Sequence, residues 1–305
     1  MDFFIDKNIS PMLLEEQKEP FDDENYIFEL KLDGIRAIVY LEKDAVYIRN
    51  KRNKELIDIY PELKSIFKQA KKPCVLDGEL VVLNNDGSPN FFALQKRSLM
   101  TDPLRIELEA SKNKVHFVAY DILQLGKDDL TDLPLLKRKE FLAKNIVEND
   151  LLAISRYIVE QGIKLFSLTK DRGLEGIVAK EKNSHYEIGK RSKNWIKVKN
   201  LIDEDFLICG FTLDEDNNIK DLILGQKNEE GLVYRGKVFL HISKEEQKII
   251  TAFALKNQSK KAFFGDISGD IIWIKPELVC TVQYMMLTKD GAMRQPVFKG
   301  LRDDK

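Results

Sequence analysis

Hydrophobic and polar residues alternate along residues 26–32 (YIFELKL), with Tyr26, Phe28, Leu30 and Leu32 on one side and Ile27, Glu29 and Lys31 on the other. A period of two is that of a strand. Residues 35–41 (IRAIVYL) repeat the pattern after Asp33-Gly34, a hairpin-type pair. These two strands are therefore expected to be neighbours, with residues 45–49 (AVYIR) as a third strand of the same meander. Pro61 suits the first turn of a helix over residues 61–70 (PELKSIFKQA). Strands are predicted at 74–83 (CVLDGELVVL) and 115–123 (VHFVAYDIL), parted by an NNDG turn and a helical stretch at 91–99 (FFALQKRSL). An amphipathic helix over 134–147 and strands at 175–180 (EGIVAK) and 194–199 (NWIKVK) complete this part. From about residue 201 the grain changes to short apolar strands separated by turn clusters, with one helix near 243–259. Five or so strands and a helix in roughly 100 residues suit a small barrel of the OB type. The expected organisation is α+β, with one domain over 1–200 and a second over 201–305.

Composition narrows the class without naming a function. The chain has 305 residues, 43% hydrophobic and 32% charged, which suits globular domains with real cores. No apolar run approaches the roughly 20 residues of a membrane span. The start, MDFFIDKNIS, lacks the basic flank and apolar stretch of a signal peptide, so a cytoplasmic protein is expected, nucleoid-associated if bacterial. Cys74, Cys209 and Cys280 lie in apolar stretches and are expected to be reduced core residues. His116, His185 and His241 show no metal-ligand spacing, so any metal should be a hard ion held by carboxylates and phosphates. A net charge of −1 argues against a general nucleic-acid binder, but charge is segregated. Lys190, Arg191, Lys193, Lys197 and Lys199 fall within 190–199 without an acid, and a block of acids at 203–216 follows. A phosphate-facing surface and a merely solvated strand and turn both fit that pattern.

The segment Lys31-Leu32-Asp33-Gly34-Ile35-Arg36 carries the sharpest chemistry. A lysine at a strand end, followed by a tight turn and an arginine, can present its amine beside a bound phosphate. Attack needs the free amine, which a neighbouring cation such as Arg36, or partial burial, would favour. A hairpin carrying a solvated lysine has the same pattern.

The remaining motifs follow in an order that resembles the covalent nucleotidyltransferases, and within them the ATP-dependent DNA ligases. The nearest likeness is to the bacterial type found as the ligase part of end-joining proteins. It runs from Pro11-Met12-Leu13 to Lys305. It implies an adenylation (nucleotidyltransferase) domain of antiparallel sheets and helices followed by an OB-fold β-barrel. By this resemblance Lys31 carries the adenylate, Glu29 helps define the adenine pocket, and Arg36 is among the nucleotide contacts. The arginine near the sugar and phosphate is Arg52, with Arg49 as the alternative, because residues 48–53 depart from the family's serine-arginine-asparagine-glycine wording. Glu79 matches the ribose-contacting glutamate, and Tyr120, followed by Asp121, matches an aromatic that stacks on adenine and is more often phenylalanine. Glu175 would hold Mg²⁺ or Mn²⁺. Arg191, Lys197 and Lys199 would contact phosphates, and Arg302 and Lys305 would orient the pyrophosphate of ATP. Phe91 and the Leu94-Gln95 pair also match and are read as packing.

The activity so implied is nick sealing in duplex DNA through a lysyl-AMP and a DNA-adenylate, with ATP as co-substrate. It would serve DNA repair, recombination, replication or double-strand-break end joining. Nicked duplex DNA is the implied partner, with a Ku-like end-binding protein a second in an end-joining role, and a monomer away from membranes is expected. An RNA ligase and an mRNA-capping guanylyltransferase share the lysine chemistry, but the EGIVAK segment, residues 189–199 and the ending at 294–305 resemble DNA ligases. A non-catalytic nucleic-acid-binding module would predict damage to Lys31, Glu175 or the Lys197/Lys199 pair, and all are intact.

Overall fold

The computed structural model describes residues 2–229, 231–239, 244–265, 267, 269–288 and 290–302. They fall into two compact units, Met1–Asn200 and Leu201–Lys305.

The first unit contains α1 (Phe3–Asp6), β1 (Leu13–Gln17), β2 (Tyr26–Leu30), β3 (Ile35–Leu41), β4 (Val46–Asn50) and β5 (Cys74–Val82). Next come α2 (Phe91–Ser98), α3 (Pro103–Lys112), β6 (Val115–Leu125), β7 (Asp128–Asp129), α4 (Leu135–Asn145), β8 (Leu152–Ile154) and β9 (Tyr157–Val159). It ends with α5 (Gly162–Asp171), β10 (Gly176–Glu181) and β11 (Arg191–Lys199). One sheet has the order β1-β11-β10-β2-β9 and the other β4-β3-β5-β6-β7, with β8 paired to β6.

The hairpin expected between residues 26–32 and 35–41 does not form. β2 pairs with β10 and β9, whereas β3 pairs with β4 and β5, so the chain crosses from one sheet to the other at residues 31–34. The strand stops at Leu30, and Lys31 begins the crossover, its N–H donating to the Gly176 carbonyl at 2.9 Å. Gly34 lies so close to β5 that a Cβ there would sit 2.2 Å from the Leu80 carbonyl oxygen. The turn chemistry of Asp33-Gly34 was legible; its use to change sheets rather than close a hairpin depends on partners far along the chain.

Alternation sorts the side chains of the first sheet between two environments. Phe28, Ile177, Ala179 and Val198 form a cluster with Leu165 and Phe166 of α5 on one face. Ile27 and Trp195 on the other face pack with Ile38, Tyr40 and Val75 of the second sheet. The far side of the second sheet, with Ala37, Val39, Leu76, Leu80 and Phe117, packs on Leu94 of α2, Leu142 of α4 and the segment Pro61–Gln69. The helix expected over that segment forms, as a 3₁₀ helix. Both faces of each sheet are thus covered, as runs such as residues 35–41 require. Leu94 is core, but Gln95 is exposed and does not share in the packing expected of it.

One charged pair lies within this unit at zero exposure. Arg138 of α4 grips Asp121 with both ends of its fork, at 2.9 and 2.8 Å, and also donates to the Leu133 and Ser184 carbonyls.

The second unit contains β12 (Ile202–Leu213), β13 (Ile219–Asn228), β14 (Gly231–Phe239), α6 (Lys244–Asn257), β15 (Ile272–Trp273), β16 (Val279–Tyr284) and β17 (Val297–Leu301). Its antiparallel sheet has the order β14-β13-β12-β16-β17, and β15 also pairs with β12. Phe206, Ile208, Leu222, Leu224, Val238 and Val282 close over Ile250 and Ala254 of the helix, so the curved sheet and helix share one core. This is the small OB-type barrel expected from the short strands. The acids at 203–205 are not simply solvated. Asp203 accepts from Gln283, Glu204 from Gln226 and Tyr284, and Asp205 from Thr281. All three cysteines are buried and free.

Removing one member of a buried pair strands the other charge, at a cost of about 3–5 kcal/mol. Arg138→Met is expected to lower the unfolding free energy by that order in a urea titration; a loss below about 1 kcal/mol would contradict this account of the Asp121 site.

Candidate active site

The two sheets of the first unit present facing side chains to one another, and the chemical residues lie in that seam. Register defines one wall. Val178 is opposite Glu29 on β2 and Lys197 on β11, Lys180 is opposite Trp195, and Gly176 is opposite Lys199. Strand alternation therefore puts Glu29, Val178, Lys180, Trp195, Lys197 and Lys199 on one face. The second wall comes from Arg36 on β3, Asp77 and Glu79 on β5, and Tyr120 on β6; Arg36 is opposite Glu79. Lys31 starts the crossover between the walls.

Lys31 Nζ lies 2.7 Å from Glu175 Oε1, and the glutamate side chain is only 8% exposed. Gly176 has φ +139°, and a Cβ on it would lie 2.1 Å from the Val198 carbonyl oxygen. Glycine is therefore required where this backbone passes β11, and it hands Glu175 to the lysine. Burial raises the Glu175 carboxyl above its usual range, against the pull of Lys31. Burial pushes Glu79 up to about 8, although Lys31 and Arg36 oppose it, and Asp77 and Glu175 add to the rise.

Arg36, named with partial burial as what could favour the free amine of Lys31, is held by Asp77. Its Nε and Nη2 donate to the two carboxylate oxygens at 3.0 and 2.6 Å, and the Tyr186 hydroxyl donates to the same carboxylate at 2.7 Å. The side chain in contact with Lys31 is the carboxyl of Glu175. Asp77 itself stands in the middle of an apolar run, the signal that could have flagged it: a buried charge needs a partner.

Glu29 is 2% exposed and does not share a partner with Lys31. Its carboxylate takes ion pairs from Lys139 and, at 3.1 Å, from Lys180, and it accepts from the Ser155 hydroxyl at 3.0 Å. Burial opposes its charge, but the two lysines win and hold its pKa below the usual range. Lys180 is driven down to about 8, chiefly by burial, with Glu29 resisting. Its ammonium lies 4.3 Å from the centre of the Tyr120 ring and 4.1 Å from that of Trp195, whose rings meet edge to face. Lys180 was missed by sequence reasoning; its place on the same strand face as Val178, two residues away, was the available signal.

Lys197 and Lys199 reach the same atom, Glu16 Oε2 of β1, at 2.9 and 3.5 Å. Arg191 is exposed and donates to the Leu14 carbonyl. Arg49 pairs with Glu55 at 3.2 Å, and Arg52 is exposed in the turn after β4. In the second unit Arg302 lies 3.2 Å from Asp205. Lys305 and His241 lie outside the described residues. Among the described residues no cluster of three or more metal-ligating side chains occurs. Nor, among the described residues, is any helix long and apolar enough to cross a membrane.

Comparison with known proteins gives this geometry a family. Residues 11–199 match the model of the ATP dependent DNA ligase domain, and residues 215–305 that of the ATP dependent DNA ligase C terminal region. The chain is 31% identical to the SPbeta prophage-derived DNA ligase-like protein LigB of Bacillus subtilis, over 96% of this chain and 99% of that protein. It is 28% identical to the multifunctional non-homologous end joining DNA repair protein LigD of Mycobacterium tuberculosis, over 92% of this chain but only 36% of the longer protein. The crystal structure of the ligase domain of that LigD aligns with a TM-score of 0.58 at 27% identity, covering 98% of this chain and 97% of the other. With both family models matched in order and a relative matched over nearly its whole length, the chain belongs to the ATP-dependent DNA ligase family.

Proposed function

We propose that Lys31 takes the adenylyl group of ATP and passes it to the 5′-phosphate at a nick, which a 3′-hydroxyl then attacks to release AMP and seal the strand. The observation that carries this assignment is the placement of the Lys31 amine. It is held by Glu175 at the crossover between a wall bearing Lys197 and Lys199 and a wall bearing Arg36 and Glu79. In the first step Lys31 Nζ forms a bond to the α-phosphorus, the bond to pyrophosphate breaks, and the amine loses its proton. Phosphoryl transfers of this kind depend on alignment and charge neutralisation more than on covalent invention by the protein.

The roles of the other side chains follow from what each can donate or accept. Tyr120, backed by Trp195 and Lys180, offers a ring face to adenine, and Glu29 fixes the Lys180 ammonium behind it. Glu79 is the group for the ribose hydroxyls. Lys197 and Lys199 face the phosphates, with Arg36, Arg191, Arg52 or Arg49, Arg302 and Lys305 as further cations for the sugar, phosphates and pyrophosphate. Glu175 is the oxygen donor that would hold a divalent cation. Such a cation would supply positive charge to the phosphate oxygens. The first unit is then the adenylation domain and the second the OB-fold domain. Because the matched LigD is an end-joining repair protein, we place the sealing of nicks by this chain in DNA repair, where a Ku-like end-binding protein would deliver broken ends.

Label transfer tests the central claim. Incubation with α-labelled ATP is expected to leave a covalent adduct on the wild type, with none from GTP and none on Lys31→Ala. The wild-type adduct should discharge on addition of a nicked duplex. An adduct that survives Lys31→Ala sinks the assignment.

Binding of nicked duplex should fall steeply as salt rises, with little sequence preference, because phosphates carry the contact. Fluorescence anisotropy over a salt series that stays flat would refute this.

Glu79 gives a pH dependence with a definite sign. Its carboxyl is raised above the unfolded value of 4.5, so its stabilising contribution is full below 4.5 and is lost as pH rises through about 8. Wild type should therefore lose stability relative to Glu79→Gln across that window. Urea midpoints compared near its two ends should diverge; a constant difference would show that Glu79 is not buried as a neutral acid.

A further inference from the structure

β1 runs parallel to β11, and a register shift between Leu14 and Glu15 brings Glu16 opposite Lys197. Glu15 is opposite Ile196, so the two glutamates point to opposite faces of the sheet. Glu16 therefore stands on the wall that carries Lys197 and Lys199. One of its oxygens bridges both ammonium groups, at 2.9 and 3.5 Å. The hydrogen bond from Lys197, opposed by partial burial and aided by the charges of both lysines, holds the carboxyl below its usual pKa. At neutral pH this is a carboxylate.

A carboxylate oxygen shared by two ammonium groups does what a non-bridging phosphate oxygen would do in the same place. Two lysines two residues apart on one strand face repel each other unless an anion lies between them. A carboxylate and an incoming phosphate therefore compete for the same donors. Glu16 is 46% exposed at its side chain, so its pairing is weak enough to be displaced. Its place on the edge strand β1 lets the side chain swing toward solvent without disturbing the sheet.

We propose that Glu16 is a built-in counter-ion of the Lys197/Lys199 pair that must yield when a polyphosphate binds, and so sets the affinity of this site for the triphosphate of ATP. This assignment deepens the function proposed above and rests on it for the identity of the polyphosphate. Glu16 acts through the lysines and is a positioning residue. It lowers affinity, and in exchange it keeps the paired cations from holding every passing anion.

Calorimetry with inorganic tripolyphosphate tests the competition without any catalytic step, using the full chain. Glu16→Gln keeps the shape of the side chain and removes its charge, and thermal melting checks that the variant folds. It is expected to bind tripolyphosphate about threefold more tightly than wild type, the scale of one half-exposed ion pair. Glu15→Gln, on the opposite face, should change affinity less. In single-turnover formation of the Lys31 adduct, the effect of Glu16→Gln should appear as a lower KM for ATP rather than in the maximal rate. Unchanged or weaker tripolyphosphate binding by Glu16→Gln overturns the proposal, as does an equal gain in Glu15→Gln. Absence of a Lys31 adduct in the wild type would defeat the assigned function itself, whereas the tripolyphosphate result would still decide whether Glu16 competes for the lysines.

Discussion

At Leu30 the chain has to leave one sheet for the other, and four residues accomplish it. Lys31 is anchored by its N–H to Gly176, while Gly34 passes against β5 where no side chain would fit. Everything chemical in the first unit depends on that crossing. It sets the nucleophilic candidate between two facing walls and gives it Glu175 as a neighbour. A hairpin at the same residues would have left Lys31 and Arg36 in adjacent strands of one sheet. The two-sheet arrangement instead gives each a carboxylate of its own, Glu175 for Lys31 and Asp77 for Arg36.

Burying charge between sheets is expensive unless each ion finds partners. The seam meets that demand at every buried charge described above. Asp77 answers Arg36 and Tyr186; Glu29 answers Lys139, Lys180 and Ser155; Asp121 answers Arg138. The compensation is uneven in a way that separates structure from chemistry. Where both partners are fully enclosed, as with Asp121 and Arg138, the pair is fixed. Where one partner reaches solvent, as with Glu16, the pairing is open to exchange for a phosphate. Arg302, held by a partly exposed Asp205 in the second unit, is of the second kind.

Lys180 shows why a lysine in this seam need not be a phosphate ligand. Enclosed by Tyr120 and Trp195 and paired with Glu29, it packs against the aromatic wall. Lys197, two residues beyond Trp195 on the same face, pairs instead with the half-exposed Glu16. Position along a strand, not residue type, decides between these uses.

What the chain determined by itself was local. Alternation located most of the strands of the first unit, and short apolar strands marked the barrel. Apolar surroundings marked the cysteines as core, and ordered motifs pointed to the family. Alternation also put Lys197 and Lys199 on one face, because a period of two needs only neighbouring residues. The helices α1, α3 and α5 and the strands β1, β7, β8 and β9 went unread, since short or mixed segments carry little periodic signal. Only the tertiary structure decided that residues 31–34 change sheets, because their partners Gly176 and Leu80 lie far along the chain. It also decided that Arg36 belongs to Asp77, and that Glu16 meets the lysine pair. Ion pairs between distant strands are settled by register and burial, and neither can be read from one segment alone.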